Sequence, residues 1–309
     1  MHPIIDPIDK SLLKKELTSE RFVRNTNNGN NKIYIISHHH SPNLMLEIGR
    51  LRELTFRAAG GGTGKACDID HFDTDPVCYK QLIVWNEEEE EIVGGYRYIR
   101  CGDVLDYNKQ EAKLATSGMF NFSHVFLKDY MPKTIELGRS FVQPKFQPGV
   151  DSRKGLFALD NIWDGLGSLT VDNPDIKYFF GKVTMYLHFN KEARDMILYF
   201  LKTFFPDNEK LMTPFNPLPL YTSVEKLEAL FSNLDYKEAF KILNTNVRAL
   251  GENIPPLVNI YMNLSPSMRT FGTALNKSFG EVEETGIMIT IDDIYPAKKE
   301  RHISTYLKK

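Results

Sequence analysis

The stretch TIELGRSFV, residues 134–142, decides the architecture. Its branched and aromatic residues read as a β-strand, yet it carries Glu136 and Arg139 inside an otherwise apolar run. A charge buried in a strand needs a partner beside it, so this strand is expected to serve a site as well as a core. The two charges are three residues apart. In a regular strand they face opposite sides of the sheet, and only a bulge, for which Gly138 is well placed, turns both to one face.

Upstream, YKQLIVW (79–85) and IVGGYRYI (92–99) read as a hairpin whose tip is Asn86 and the glutamates 87–91, with Arg97 in its second strand. The glutamate run reads as solvated charge. Before the hairpin, Ser41 and Pro42 open a helix in which Leu44, Ile48, Leu51, Leu54 and Ala58 recur at helical spacing, and Gly60, Gly61 and Gly62 end it. Arg52 and Phe56, four apart, share one face of that helix. Downstream, a helix from Arg153 to about Leu169 leads into IKYFFGKVTMYL (176–187), a buried strand by length and composition. This alternation predicts an α/β domain with at least one parallel strand pair. Residues 191–205 read as helical, and Pro206, Pro214, Pro217 and Pro219 then break regular structure. A helical insertion over 206–250 is expected, and GIMITIDDIY (286–295) reads as a last strand. Residues 1–32 are polar, end in the turn-forming NTNNGNN, and read as an exposed arm on a domain spanning 33–309.

Across 309 residues, 42% are hydrophobic and 12% aromatic, which supports a substantial core and excludes disorder or a disulfide scaffold. The 38 Lys and Arg against 40 Asp and Glu leave −2, so nothing global attracts nucleic acid. Cys67, Cys78 and Cys101 lack Cys-x-x-Cys spacing, and the consecutive His38, His39 and His40 lack matched ligands, so no metal site is expected. The N-terminal residues lack an export signal, and no apolar run reaches the roughly 20 residues of a membrane span. A cytoplasmic protein is expected, with the basic tail AKKERHISTYLKK allowing peripheral contact at the inner membrane face. GGGTGKA (60–66) mimics a nucleotide-binding P-loop but has Ala59 for the first glycine and Ala66 for the magnesium-binding hydroxyl, and it follows a helix. It reads instead as a mobile loop beside a pocket.

The candidate chemistry gathers Arg52, the run Asp68-Ile-Asp70-His-Phe-Asp73, Arg97, Glu136 and Arg139, with the aspartates and Glu136 as the partners available to the arginines. Phe56 and Phe120 are either core aromatics or walls of a cavity. In this order the motifs resemble the GNAT-fold acyltransferases of the branch that holds acyl-homoserine lactone synthases and the ornithine and glycine lipid N-acyltransferases, often labelled hemolysin-like. The resemblance runs from about Ile33 to Tyr295. It rests on R-E-x-x-F-R from Arg52, D-x-D-x-x-D from Asp68, Y-x-x-L-I-V, V-G-G-Y-R and E-L-G-R-S-F-V. W-D-G-L-G at 163–167, F-F-G-K at 179–182 and P-P-L-V-N-x-Y at 255–261 look most like the lipid-forming members, the glycine lipid enzymes above all.

The resemblance implies a mixed central sheet flanked by helices. It also implies transfer of a 3-hydroxy fatty acyl group to the amine of glycine, serine or ornithine, giving a lyso-aminolipid. After Val142 comes QPKFQPGVDSRKGL, which lacks the closely spaced glycines that cradle the pyrophosphate of coenzyme A. The expected donor is therefore an acyl-phosphopantetheine on acyl carrier protein, with acyl-CoA the second choice and no permanently bound cofactor. Lys145, Arg153 and Lys154 are the basic residues expected to receive that acidic carrier. Amine attack on a thioester needs a base and donors for the oxyanion. Glu136 is the candidate base, and the backbone N–H groups of Phe141 and Val142 are candidate donors. Asp70, Asp73 and Arg97 are expected to form an ion-pair network that positions the acceptor and the mobile loop, Arg139 to line the catalytic site beside Glu136, and Arg52, Phe56 and Phe120 to bind substrate, the two phenylalanines walling the acyl tunnel. The alternatives are an acyl-CoA-dependent acetyltransferase of a small amine, and a membrane-binding hemolysin-like protein without catalysis.

Overall fold

The structure, a computed structural model, describes residues 1–106, 108–147 and 157–308. Its centre is an eight-stranded sheet. In chain order the strands are β1 (Phe22–Asn25), β2 (Asn31–Ile36), β3 (Lys80–Asn86), β4 (Glu91–Arg100), β5 (Thr134–Val142), β6 (Tyr178–Met185), β7 (Arg269–Asn276) and β8 (Val282–Thr290). Their spatial order is β1-β2-β3-β4-β5-β6-β8-β7, antiparallel throughout except between β5 and β6. That parallel pair has its crossover helix, α4, as the alternating pattern requires. The helices are α1 (Lys10–Glu16), α2 (Pro42–Ala58), α3 (His71–Thr74), α4 (Ala158–Asp172), α5 (Lys191–Phe204), α6 (Val224–Phe231), α7 (Tyr236–Ala249), α8 (Pro256–Met262) and α9 (Pro296–His302).

Two layers cover the sheet. One face packs under α4, α5 and α7 through Leu82, Val84, Ile135, Leu137, Ile162, Phe200 and Leu243. The other carries two separate apolar clusters. Leu44, Ile48, Leu51 and Phe56 of α2 meet Ile83, Trp85, Phe141 and Phe279 at one end, and Phe120, Phe126 and Met131 meet Tyr79, Phe180 and Met288 at the other. Side-chain alternation along the strands sends residues to one layer or the other, so the polar side chains between these two clusters form a stripe across the sheet.

Several local expectations are revised. Residues 1–32 do not hang free: Leu13 is buried, β1 is the edge of the sheet, and His2 and Ile5 donate to Gly64 and Ala66. Their polarity misleads because the edge position leaves much of each residue in water. The Ser41 hydroxyl does not cap α2. The Glu16 carboxylate does so instead, accepting from the Asn43 and Leu44 N–H groups at 3.1 and 2.8 Å. The glycine loop after α2 is likewise tied down, since the buried Glu53 accepts from Thr63 and Gly64 at 3.0 and 2.7 Å. Strand β8 begins at Val282, before the expected start at 286, because Glu283 and Glu284 are each matched by a cation, Arg194 on one face and Lys182 on the other.

Candidate active site

Strand β5 bulges where the odd spacing of its charges demands. Gly138 pairs with Arg97 and Phe141 with Gly95, so Arg139 and Ser140 together oppose Tyr96 alone. The left-handed residue is Arg139 itself, at φ 49°, and not the preceding glycine. The extra residue reverses the side-chain phase. Ile135 and Leu137 face the helical layer, whereas beyond the bulge Phe141 faces the α2 cluster and Val142 the helical layer. Glu136 and Arg139 therefore share one face.

The bulge coincides with a fork in the sheet. Parallel pairing of β5 with β6 runs from Thr134 and Tyr178 to Leu137 and Gly181 and stops there, although both strands continue. Gln143 N–H donates to Val93 on the β4 side at 3.0 Å. Strand alternation then turns the Val142 N–H to the opposite edge, which β6 has left, and the Phe141 N–H toward β4.

The stripe beside the fork is an ion-pair network. Arg52 reaches Asp68 at 3.1 Å and grips Asp73 with both terminal nitrogens at 3.3 and 3.2 Å. Arg97 holds Asp70 at 2.9 and 3.0 Å and Asp73 at 3.2 Å, while Arg139 holds Asp68 at 2.9 Å. Gln81 adds a bond to Asp73 at 3.0 Å. Three guanidinium groups thus meet three carboxylates. Arg52, Asp68 and Asp73 are wholly buried and Arg97 nearly so, while Asp70 and Arg139 keep some exposure. Burial opposes ionisation of Asp68 and Asp73, but the adjacent arginines outweigh it and hold both carboxyls below their ordinary value.

Glu136 stands apart from the arginines, against expectation. Its partner is the Tyr79 hydroxyl, which donates to it and accepts from the Ala115 N–H at 2.9 Å. Arg97 lies over the Tyr79 ring, 5.1 Å from its centre, so Tyr79 joins Glu136 to the network. Burial pushes the Glu136 carboxyl above its ordinary value, although the Tyr79 hydrogen bond and the charges of Lys182 and Arg97 favour the ionised form. The same burial, with Glu136 beside it, raises the Tyr79 phenol well above its own. A buried carboxylate moved toward neutrality can take a proton at working pH.

Phe56 and Phe120 end up on opposite sides of the stripe. Phe56 meets Phe279 edge-on at 5.0 Å, and the Arg139 guanidinium sits 4.0 Å from the Phe279 ring centre. Phe120 belongs to the other cluster, close against Gly286. Lys145 is held by Glu89 at 2.7 Å and Glu91 at 3.0 Å, and Arg153 and Lys154 lie outside the described residues. Sequence reasoning overlooked Tyr79, Gln81, Lys182 and Glu284. The signal available was polar residues inside apolar runs, Lys182 within FFGKV and Gln81 within YKQLIV.

Two curated relatives match the whole chain. The glycine N(alpha)-acyltransferase of Bacteroides thetaiotaomicron is 59% identical over 100% of this chain and 91% of its own length, and that of Phocaeicola vulgatus is 57% identical over 100% and 95%. The chain belongs to their family of acyltransferases. A family model described as an acetyltransferase (GNAT) domain matches residues 51–152, which include the ion-pair network and all of β5. Among solved structures, the acyl-homoserine lactone synthase LasI aligns at 12% identity over 91% of this chain and 99% of that one, with a TM-score of 0.42. This GNAT acyltransferase thus carries its network and forked strand in the part that the family model describes. No helix among the described residues is long and apolar enough to cross a membrane.

Proposed function

We propose that the protein acylates the amine of glycine with a long 3-hydroxy acyl group taken from acyl carrier protein, releasing an N-acylglycine, a lyso-aminolipid. The observation that carries this reading is Glu136, buried and shifted toward neutrality where β5 and β6 part. Glu136 takes the proton of the attacking ammonium group. The Val142 N–H, turned to the open edge five strand positions further along, is placed to bond an amide carbonyl of the donor's pantetheine arm. The nitrogen-to-carbonyl bond forms, the carbon–sulfur bond breaks, and the carrier leaves as its thiol, its sulfur taking the second proton that the nitrogen sheds.

Arg139, the most exposed of the three arginines, is held chiefly through one nitrogen by Asp68 and offers the remainder of its guanidinium to the acceptor carboxylate. Asp70, Asp73, Arg97 and Arg52 fix its position. Phe56 with Phe279 on one side, and Phe120 on the other, wall the acyl path. The activity for which the two relatives are named supports glycine as the acceptor. The sequence after Val142, without closely spaced glycines, supports a donor that presents pantetheine without a diphosphate. With Lys145 engaged by the hairpin, carrier docking would fall to Arg153 and Lys154. Peripheral contact with the inner face of the cytoplasmic membrane follows from the product's chemistry, since a single long chain partitions into lipid.

The test compares initial rates with acyl carrier protein and acyl-CoA as donors and glycine, serine and ornithine as acceptors, the products resolved by mass spectrometry. Acyl carrier protein with glycine should be fastest. Faster transfer from acyl-CoA, or to either other amine, overturns the corresponding half of the assignment.

A further inference from the structure

A second feature lies on the far face of the sheet. Residues 206–220 strap the edge strand β7, anchored where Thr270 N–H donates to Phe205 at 2.9 Å and where Leu218 N–H donates to Thr273 at 2.9 Å. Between these anchors β7 slips register and Gly272 takes a left-handed φ of 84°, and there the Pro214 ring lies close against it, so the strap touches the sheet at Gly272 as well as at its two anchors. The space beneath it is a groove of about 420 Å³, within the 300–1,000 Å³ typical of ligand sites.

The floor and walls of the groove are apolar: Leu198 and Leu201 of α5, Met212, Leu218 and Leu220 of the strap, and Phe271 of β7. The hydroxyls of Thr273 and Thr285 bond to each other at 2.7 Å, leaving little there to demand a polar ligand atom. The rim differs. Lys202 and Lys210 both line it, and among the described residues neither ammonium has a carboxylate partner. Tyr199 adds a hydroxyl, and Asp207 the single acid, one of whose oxygens accepts from the Met212 N–H at 3.3 Å. Cations therefore outnumber acids two to one at the mouth of an apolar trough.

We infer that this groove binds the N-acyl amino acid that the enzyme makes, its chain along the floor and its carboxylate between Lys202 and Lys210. The head group rests on the reaction proposed above; the preference for one long chain ending in one negative charge rests on the groove. Its polar end lies apart from the ion-pair stripe: Thr285 faces the groove while its neighbour Glu284 faces Lys182 on the opposite side of the sheet, and Met212 and Phe271 of its apolar lining also belong to the Phe120 cluster. A released product held there stays out of water without blocking the forked strand.

The experiment measures equilibrium binding of N-hexadecanoylglycine to the full chain, with hexadecanoate and the uncharged N-hexadecanoylglycinamide as comparison probes. Wild type should bind the glycine conjugate saturably and more tightly than either probe, and each methylene removed from its chain should weaken binding by about fourfold. The double variant Lys202→Glu/Lys210→Glu should weaken the conjugate about tenfold and leave the glycinamide unchanged. Leu220→Trp, which fills the trough, should remove this binding for all three, with the initial rate of acyl transfer unaltered in both variants. Unchanged binding in both variants would place the product elsewhere and overturn the inference. Hexadecanoate binding as tightly as the conjugate would overturn the product as occupant. Failure of wild type to acylate glycine would be a failure of the proposed reaction, read in turnover, whereas the groove is read in the isotherms.

Discussion

Replacing Arg97 with alanine removes the guanidinium that joins Asp70 to Asp73. Arg97 is almost wholly buried and makes three charge-assisted bonds at 2.9, 3.0 and 3.2 Å. Breaking a buried pair typically costs about 3–5 kcal/mol, because the abandoned carboxylate stays desolvated. Two features of the network place the cost near the lower limit. Asp73 keeps both bonds from Arg52, and Asp70, partly exposed, can recover water. The expected loss is therefore about 3 kcal/mol, a fall in Tm of roughly 6 °C at about 2 °C per kcal/mol for a large chain. Arg100 provides the control. Its pair with Asp175 is well exposed at both ends, and Arg100→Ala should cost less than about 1 kcal/mol. Urea unfolding of the two variants beside wild type decides the matter. If Arg97→Ala costs no more than Arg100→Ala, the stripe is hydrated in solution and the argument from buried pairing fails.

Other consequences follow from the same groups. Glu136→Gln keeps the shape and should retain the wild-type Tm while losing about 100- to 10,000-fold in acyl transfer; near-normal turnover would remove Glu136 from the chemistry. Tyr79→Phe takes away a donor that favours the ionised Glu136, so the acid limb of the pH–rate profile should move to higher pH, and a move to lower pH would contradict the assignment. Asp68 and Asp73 are depressed in the folded state. Their contribution to stability is full above an unfolded carboxylate value of about 3.9 and is lost only as pH falls through the depressed values, so acid titration followed by circular dichroism should show the network intact at pH 4. Unfolding already complete at pH 4 would show that these carboxyls are not depressed.

The fold was legible where apolar pattern and turn chemistry agreed. The β3–β4 hairpin, α2 and β5 stand where their residues place them, and the odd interval from Glu136 to Arg139 foretold a bulge. Which residue would bear the strain was not legible from spacing. Arg139 takes the left-handed conformation because Asp68 and Phe279 grip its side chain from outside the strand, whereas Gly138 has no side chain to be gripped. Strands β1, β2 and β7 escaped notice, β1 and β7 for a related reason. Both lie at the edges of the sheet, where half-exposed polar positions dilute the period-two signal. Within the candidate site, the arginines and aspartates declared themselves as charges in apolar runs. Tyr79 did not, because a tyrosine opening a strand reads as ordinary core until the chain brings its hydroxyl to Glu136.

The central claim is transfer to an amine at the point where β5 and β6 part, with Glu136 as base. It is tested most directly by incubating the purified enzyme with 3-hydroxyacyl carrier protein and isotopically labelled glycine and following labelled N-acylglycine by mass spectrometry, wild type beside Glu136→Gln. The account predicts steady formation of the labelled product by wild type and a loss of at least about a hundredfold in the folded variant. Equal rates in the two proteins, or no labelled product from wild type, would contradict it.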